Sequence, residues 1–199
     1  MRGVYTLIIR FADRCEASVG TGFSLVIDPG LYLYTGSALG RGSTSLESRI
    51  GRHLRRDKHP FWHIDRLLAC SSADVVSVVF AETTRNAECR VNAAVLMDSK
   101  VKVPFRGIGS SDCRCASHFL FAERSFRSLL QTVRSYYSSL RLSPHVLNRR
   151  SSRSGSLVIP KHGLRKEPNA KPTRTRQPMP HQQRLGRYVS MSFPRIRVA

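Results

Sequence analysis

Residues 3–11 read GVYTLIIRF, a run of β-branched and aromatic residues that is typical of a buried strand. The run LYLYT at 31–35 has the same character and follows the turn signal DPG at 28–30. We expect these two stretches to pair as neighbouring antiparallel strands. The pattern predicts two more strands, a short one at 23–27 and a longer one at 74–80.

Helices are predicted between and after these strands. The first begins at Thr44, because Thr44 and Glu47 have the spacing of a capping box. Others are expected at 62–68, after Asn86 as N-cap, and after Phe126, where apolar residues recur at helical spacing. The apolar stripe of the first helix consists of Leu46, Ile50 and Leu54.

The first helix also has two polar faces. Arg49 and His53 are four residues apart, so both side chains emerge on one side of the helix. Arg52 and Arg56 form a second, basic stripe on its surface. We expect nucleic acid to be contacted here by Arg52, Arg55, Arg56 and Lys58.

Charge divides the 199-residue chain into two parts. Residues 1–125 contain 17 Lys and Arg against 12 Asp and Glu, whereas residues 126–199 contain 16 against the single Glu167. The formal net charge of +20 is far more than solubility requires, and such a field attracts polyanions. We therefore predict one folded domain at 1–125, a basic helix and tail at 126–199, and nucleic acid as the partner.

The last segment, 144–199, is dominated by Arg, Ser, Pro and Gln and has almost no counter-charge. This composition predicts disorder in isolation. A flexible basic arm neutralises phosphates and adds salt-sensitive affinity without sequence preference. The abrupt loss of acidic residues and of periodicity also fits out-of-frame translation beyond the folded domain.

The five cysteines are odd in number and follow no secretion signal, so free thiols or a metal site are expected rather than disulfides. Cys15 and Cys70 are predicted to be reduced, like the other three. Cysteine and histidine are the residue types that bind zinc, and Cys89, Cys113, Cys115 and His118 supply them. The Cys-x-Cys spacing is, however, tighter than is usual for a zinc site. The alternative, which the spacing favours, is a set of small buried thiols with His118 bound to a backbone carbonyl.

Membrane insertion is not expected. No apolar run approaches the roughly 18 residues of a membrane span, and the run after Arg2 is too short for the core of a signal peptide. We therefore expect a cytoplasmic protein without a membrane partner.

Several short sequence motifs follow one another along the chain. GVY at 3–5 is followed by YTG at 34–36, then by Arg49 and His53 on one helix and Glu88 on a later one. This order resembles the GIY-YIG nuclease superfamily. The phrases similar to its Uri-type branch are YTGSA at 34–38, RHL at 52–54, WHID at 62–65, EC at 88–89 and SDCRCASH at 111–118.

The resemblance runs from Gly3 to about Phe121. It implies an α+β fold with a small, mainly antiparallel three-stranded sheet flanked by helices. The composition places the disordered basic tail after this fold. Val4 and Thr35 replace two isoleucines of the family pattern, a change that β-branched strand positions tolerate. The late Asn of the superfamily has no counterpart that we can place in this sequence.

The resemblance also implies a metal-dependent nuclease site. Glu88 would hold one divalent ion, Mg²⁺ or Mn²⁺, and Arg49 would bind the phosphate and stabilise charge in the transition state. Tyr5 would act as general base with help from a cation, because a free phenol titrates near ~10. His53 would relay or accept a proton, and Tyr34 would orient water or phosphate.

Ordinary structural roles compete with these assignments. Strand tyrosines usually pack in a core, Arg49 and His53 could form a solvated helix face, and the helix dipole alone favours Glu88 near a helix start. Trp62 is expected in the core, and His63 and Asp65 are too close on one helix to form a dyad. The joint occurrence of the motifs in family order favours the site.

Three functions follow. The first is an endonuclease that hydrolyses phosphodiester bonds in nucleic acid, with DNA expected, acting in repair alone or beside a repair glycosylase. The second is a non-catalytic nucleic-acid-binding module, which the missing Asn keeps open. The third is an interaction domain ordered by zinc at the cysteine and histidine cluster.

Overall fold

The computed structural model describes residues 1–19, 24–57, 59–60 and 62–149. Within these ranges the chain forms eight strands and four α-helices. The strands are β1 (Gly3–Phe11), β2 (Cys15–Ser18), β3 (Ser24–Ile27), β4 (Gly30–Ala38), β5 (Ala73–Glu82), β6 (Val101–Lys102), β7 (Phe119–Ala122) and β8 (His145–Asn148). The helices are α1 (Leu46–Leu54), α2 (His63–Leu67), α3 (Glu88–Leu96) and α4 (Phe126–Ser139).

A six-stranded sheet with the order β6-β7-β4-β1-β5-β8 forms the centre of the molecule. All of its pairings are antiparallel, and β1 pairs with both β4 and β5. The predicted α+β class and the neighbouring motif strands are confirmed. The predicted number of three strands is wrong, because β6, β7 and β8 are short strands in stretches without a clear strand pattern. β2 and β3 form a separate hairpin.

The alternation of side chains along β1 creates two cores, one on each face of the sheet. Tyr5, Leu7 and Ile9 point into the first core, together with apolar residues of α1 and α2. Val4 and Ile8 point into the second core, which α3 and α4 cover. The sheet is thus the middle layer between two pairs of helices, and β1 is buried on both sides.

Two predicted helix starts are each one residue too early. The N-cap of α1 is Ser45, whose hydroxyl accepts the backbone N–H of Ser48, and Thr44 ends a short 3₁₀ turn. Glu47 does not close a capping box but binds the amino group of Met1 at 2.7 Å. The N-cap of α3 is Ala87 rather than Asn86.

The packed core extends beyond residue 125, where the sequence predicted the domain to end. Leu129, Val133 and Tyr137 of α4 are fully buried in the second core. Strand β8 then pairs with β5 at residues that the sequence assigned to a disordered tail. The correction follows from packing, since the apolar face of α4 covers the sheet. The rest of the predicted tail, from residue 150, lies outside the described residues.

Cys15 and Cys70 form a disulfide with a Cα–Cα distance of 6.4 Å. The prediction that both are reduced is therefore wrong. β2 carries Cys15, and Cys70 lies in the turn that follows α2, so the packing of α2 near β2 brings together two residues 55 positions apart. The cysteines at positions 89, 113 and 115 are free.

Among the described residues, none of the helices has the length and apolar character required to cross a membrane.

Candidate active site and cysteine–histidine cluster

A cleft of about 490 Å³ opens on the α1 and α2 side of the sheet. The five side chains predicted for catalysis line this one cleft, although they come from β1, β4, α1 and α3. These five are Tyr5, Tyr34, Arg49, His53 and Glu88. The remaining lining residues are Gly36, Ser37, Trp62, His63, Gly109, Ser111 and Asp112.

The register of β1 and β4 brings the two tyrosines to the same face. Tyr5 lies opposite Gly36, and Tyr34, two residues before Gly36 in β4, lies opposite Leu7. A Cβ atom at Gly36 would come within 2.5 Å of the Tyr5 hydroxyl oxygen. Glycine is therefore required at this position because the Tyr5 ring lies directly over it.

The protein environment keeps both phenols protonated. Burial is the main cause that raises the pKa of Tyr5 well above its ordinary value of 10.0, with Tyr34 and Glu88 adding to it and Arg49 opposing it. Burial likewise raises the pKa of Tyr34, reinforced by Glu88 and again opposed by Arg49. A free phenolate is thus disfavoured at either position near neutral pH.

Tyr5 belongs to a buried chain of polar groups. Its hydroxyl oxygen lies 2.8 Å from Nε2 of His53, and Nδ1 of His53 lies 3.6 Å from Oδ1 of Asp65. The side chains of His53 and Asp65 are 1% and 0% exposed. The three groups are therefore arranged in the order phenol, imidazole, carboxylate.

Asp65 is the residue that sequence reasoning missed. The sequence analysis weighed it only against His63, its neighbour on α2, whereas the fold pairs it with His53 on α1. The available local signal was its place in the first turn of α2, where Oδ2 accepts the backbone N–H of Trp62. That signal indicates a cap and says nothing about a histidine twelve residues earlier.

Two guanidinium groups stack on Trp62, which lines the cleft and is only partly buried. The guanidinium carbons of Arg49 and Arg52 each lie 5.0 Å from the ring centroid. Arg49 also donates from Nη1 to the carbonyl oxygen of Ser37 at 3.0 Å. Its buried Nε makes no hydrogen bond among the described residues.

The arginines predicted to contact nucleic acid do not form one stripe. Arg52 donates to Oδ2 of buried Asp65 at 2.9 Å and to the carbonyl of His59 at 2.7 Å. Arg52 therefore pairs with the buried carboxylate of Asp65. Arg55 and Arg56 are exposed but follow the last helical residue, Leu54, so Arg56 does not share a helix face with Arg52. Lys58 lies outside the described residues.

Glu88 is connected to the cysteine-rich loop through His118. Oε1 of Glu88 lies 2.8 Å from Nδ1 of His118, and Nε2 of the same ring lies 3.5 Å from Sγ of Cys113. The expectation that a backbone carbonyl satisfies the His118 ring is therefore wrong. The ligand atoms of Cys89, Cys113, Cys115 and His118 all lie within 4.8 Å of one another.

The thiols of this cluster are partly buried and contact each other. Burial, and then hydrogen bonds with Cys115 and Cys113, raise the pKa of the Cys89 thiol to about 12. Burial also raises the pKa of Cys115. Without a cation, burial therefore holds the Cys89 and Cys115 thiols in the neutral form.

Comparison with known proteins gives one match. Residues 4–142 match the family described as "Domain of unknown function DUF123". The chain belongs to the DUF123 family. The matched range covers β1 through α4, which contains every residue of the cleft and of the cysteine–histidine cluster. No curated protein and no solved structure matches the chain.

Proposed function

We propose that this DUF123 protein is a metal-dependent endonuclease of the GIY-YIG type, with DNA as its substrate. One observation carries the proposal. Five side chains that the sequence motifs single out, Tyr5, Tyr34, Arg49, His53 and Glu88, line a single cleft although they are distributed over 84 positions of the chain. Packing alone does not require two tyrosines, an arginine, a histidine and a glutamate to meet at one opening.

The donor set of the cleft fits a hard divalent ion. The side chain of Glu88 is 17% exposed and lines the cleft, while Oε1 is engaged by His118. The carboxylate of Asp112 lines the same cleft. Mg²⁺ typically takes one or two protein carboxylates and keeps several waters, so Glu88 would hold it with Asp112 nearby. A bound ion supplies charge neutralisation at the phosphoryl oxygens and lowers the pKa of its water.

Proton transfer is assigned to Tyr5 and His53 together. With the Nδ1 proton directed towards Asp65, Nε2 of His53 accepts a hydrogen bond from the Tyr5 hydroxyl. Tyr5 can then take a proton from water while it passes its own proton to His53. This shared transfer avoids a free phenolate, which burial of Tyr5 opposes.

Phosphate binding is assigned to Arg49. Its contacts with Ser37 and Trp62 orient the guanidinium group, which lines the cleft. A planar, always charged donor group suits both the bound phosphate and the charge that develops on it in the transition state. Tyr34 lies beside Arg49 in the same cleft and would position water or phosphate.

The experiment is cleavage of a DNA panel by the full chain, with Mg²⁺ present or omitted. The panel contains single-stranded, double-stranded, flapped and abasic DNA, and RNA is included as an alternative substrate. Glu88→Gln should reduce cleavage by about 100-fold or more while DNA binding is kept, because the shape remains and the charge is lost. Arg49→Ala should weaken both binding and cleavage, since the phosphate is held before and during the reaction.

Matched controls make the result specific. Glu82→Gln and Arg90→Ala remove the same charges at exposed positions outside the cleft and should leave cleavage unchanged. If Glu88→Gln cuts at the wild-type rate in Mg²⁺, the proposed mechanism is wrong. Binding of DNA by a wild-type protein that cuts no member of the panel would instead favour the non-catalytic binding module.

A further inference from the structure

We propose that Cys89, Cys113, Cys115 and Nε2 of His118 bind one zinc ion, and that Glu88 positions His118 for this role. The zinc ion would attach the loop of residues 103–118 to the start of α3. This metal site is distinct from the divalent ion of the cleft. It does not depend on the nuclease function and can be tested on a protein that cuts nothing.

The distances in the cluster fit a tetrahedral zinc site. Zinc binds sulfur at about 2.3 Å and imidazole nitrogen at about 2.0 Å, which places neighbouring ligand atoms of a tetrahedron about 3.5 to 3.8 Å apart. Sγ of Cys113 and Nε2 of His118 are 3.5 Å apart. All four ligand atoms lie within 4.8 Å of one another, so small side-chain rotations would complete the site.

The hydrogen bond to Glu88 is an independent observation that points to a metal. Histidine ligands typically donate the other ring N–H to a carboxylate, which fixes the tautomer and the ring orientation. Nδ1 of His118 is 2.8 Å from the carboxylate of Glu88. With its proton there, the lone pair on Nε2 is directed at the three thiols. The ring is 1% exposed and thus has a fixed position.

The ligand types select zinc among common divalent ions. Three thiolates and one imidazole are soft to borderline donors, which suit Zn²⁺ and are poor partners for Mg²⁺ or Ca²⁺. Four protein ligands leave no open position, as in structural rather than catalytic zinc sites. The tight Cys113-x-Cys115 spacing is no obstacle, because the fold already places both sulfur atoms within 4.8 Å of each other and of the ligand atoms of Cys89 and His118.

The position of the site gives it a role in building the cleft. Gly109, Ser111 and Asp112 line the cleft and lie between the start of the loop and its first cysteine ligand. At Gly109, φ is +71° and a Cβ atom would lie 2.7 Å from the Tyr34 ring, so the loop backbone passes directly over Tyr34. Zinc bound behind this loop would hold it against Tyr34 and Glu88.

The first test is the metal content of the full chain, purified without chelator and analysed by mass spectrometry for zinc and iron. We expect about one zinc per chain. Replacement by Co²⁺ should give thiolate-to-cobalt charge-transfer bands and the intense visible bands of a tetrahedral site. Absence of zinc, iron in its place, or a disulfide among Cys89, Cys113 and Cys115 in protein purified under reducing conditions would overturn the proposal.

Cysteine variants test whether zinc binds to the cluster rather than to the other two cysteines. Cys113→Ser should lose zinc, whereas the double variant Cys15→Ser/Cys70→Ser removes two cysteines that lie outside the cluster and should keep it. If Cys113→Ser fails to fold, the cobalt spectrum of the wild-type protein still decides the question. Equal zinc content in Cys113→Ser and wild type would contradict the assignment.

Glu88 is tested as a positioning residue by comparing two substitutions. Loss of the group that accepts a hydrogen bond from a metal-binding histidine typically weakens metal binding by about 10 to 100-fold. Glu88→Ala should show a loss in this range in a chelator competition, whereas Glu88→Gln keeps an oxygen acceptor for Nδ1–H and should recover most of the affinity. Identical zinc affinity in wild type and Glu88→Ala would show that Glu88 does not position His118.

Discussion

Asp65 illustrates how single residues in this protein have partners far away in the sequence. Its carboxylate is completely buried and faces two cationic or polarisable groups, Arg52 at 2.9 Å and His53 at 3.6 Å. A buried carboxylate is stable only when it is paired, and removal of one partner typically costs about 3 to 5 kcal/mol. The carboxylate lies beside the His53 ring, whose Nε2 is 2.8 Å from the hydroxyl oxygen of Tyr5.

Asp65→Asn is predicted to change the tautomer of His53 while keeping the side-chain shape. The new amide can donate to Nδ1, which moves the ring proton to Nε2 and reverses the hydrogen bond with Tyr5. Under the proposed function, cleavage should fall by about 10²- to 10⁴-fold. Single-turnover cleavage measures the loss, and ¹⁵N chemical shifts of the imidazole report the tautomer directly.

The control for this change is Asp57→Asn, which alters an exposed carboxylate just after α1. It should leave both the His53 tautomer and the cleavage rate unchanged. An unaltered tautomer in Asp65→Asn would show that Asp65 does not orient His53.

At the level of elements, the start of α1 sets where Arg49 and His53 appear. The helix is capped by Ser45, whose Oγ accepts the N–H of Ser48 at 3.3 Å, and Leu46 and Ile50 anchor it in the first core. The N-cap lies one residue after the predicted Thr44, and Glu47 closes no capping box. The one-residue shift of the cap does not change the directions in which Arg49 and His53 leave the helix. The apolar positions, rather than the cap, determine which side of the helix is buried.

Ser45→Ala is therefore predicted to destabilise the protein by about 1 kcal/mol, the usual cost of losing an N-cap side chain. Thr44→Ala is the matched control, because the Thr44 hydroxyl donates to the Arg41 carbonyl in an exposed turn and its loss should cost less. Urea unfolding of both variants at one pH measures the difference. An equal or larger cost for Thr44→Ala would place the cap where the sequence first suggested.

At the level of the whole molecule, both cores contain buried tyrosines. Tyr5 and Tyr34 lie in the first core, and Tyr137 lies in the second, where its hydroxyl is 3.0 Å from Oγ1 of Thr6 and donates to the carbonyl of Val79. Burial raises the pKa of all three phenols above the ordinary value of 10.0. Ionisation of any of them therefore favours the unfolded chain.

The free energy of unfolding should consequently fall as the pH rises above about 10. A raised pKa in the folded state means that the stabilisation is complete below the unfolded pKa and is lost as the pH rises towards the folded value. Between the pKa of the unfolded chain and that of the folded protein, each buried tyrosine lowers the free energy of unfolding by about 1.4 kcal/mol per pH unit. Urea unfolding between pH 9 and 11 measures this slope.

Tyr137→Phe isolates one of the three groups. The variant loses two hydrogen bonds and should be less stable at neutral pH, yet its stability should fall less steeply above pH 10 than that of the wild type. The slope should differ by about 1.4 kcal/mol per pH unit, the contribution of one phenol. Identical slopes would show that Tyr137 is not shielded from water in the folded protein.

Local patterns in the sequence were sufficient for the central part of the fold. The β-branched and aromatic run GVYTLIIRF predicted β1, the similar run at 31–35 predicted its antiparallel neighbour, and apolar spacing predicted α1 and α4. These features depend on residues two to four positions apart, where side-chain direction follows directly from backbone geometry. The same short-range rule, applied to Arg49 and His53, correctly placed both on the side of α1 that lines the cleft.

Tertiary structure alone decided the partners across the fold. The pairing of His53 with Asp65, the disulfide between Cys15 and Cys70, the pairing of β7 with β4 and of β8 with β5, and the meeting of Cys89 with Cys113 join residues between 12 and 91 positions apart. Local sequence patterns do not predict such long-range contacts, because these contacts depend on how the helices pack on both faces of the sheet. Sequence therefore determined which residue types were available for a site, and packing determined which of them meet.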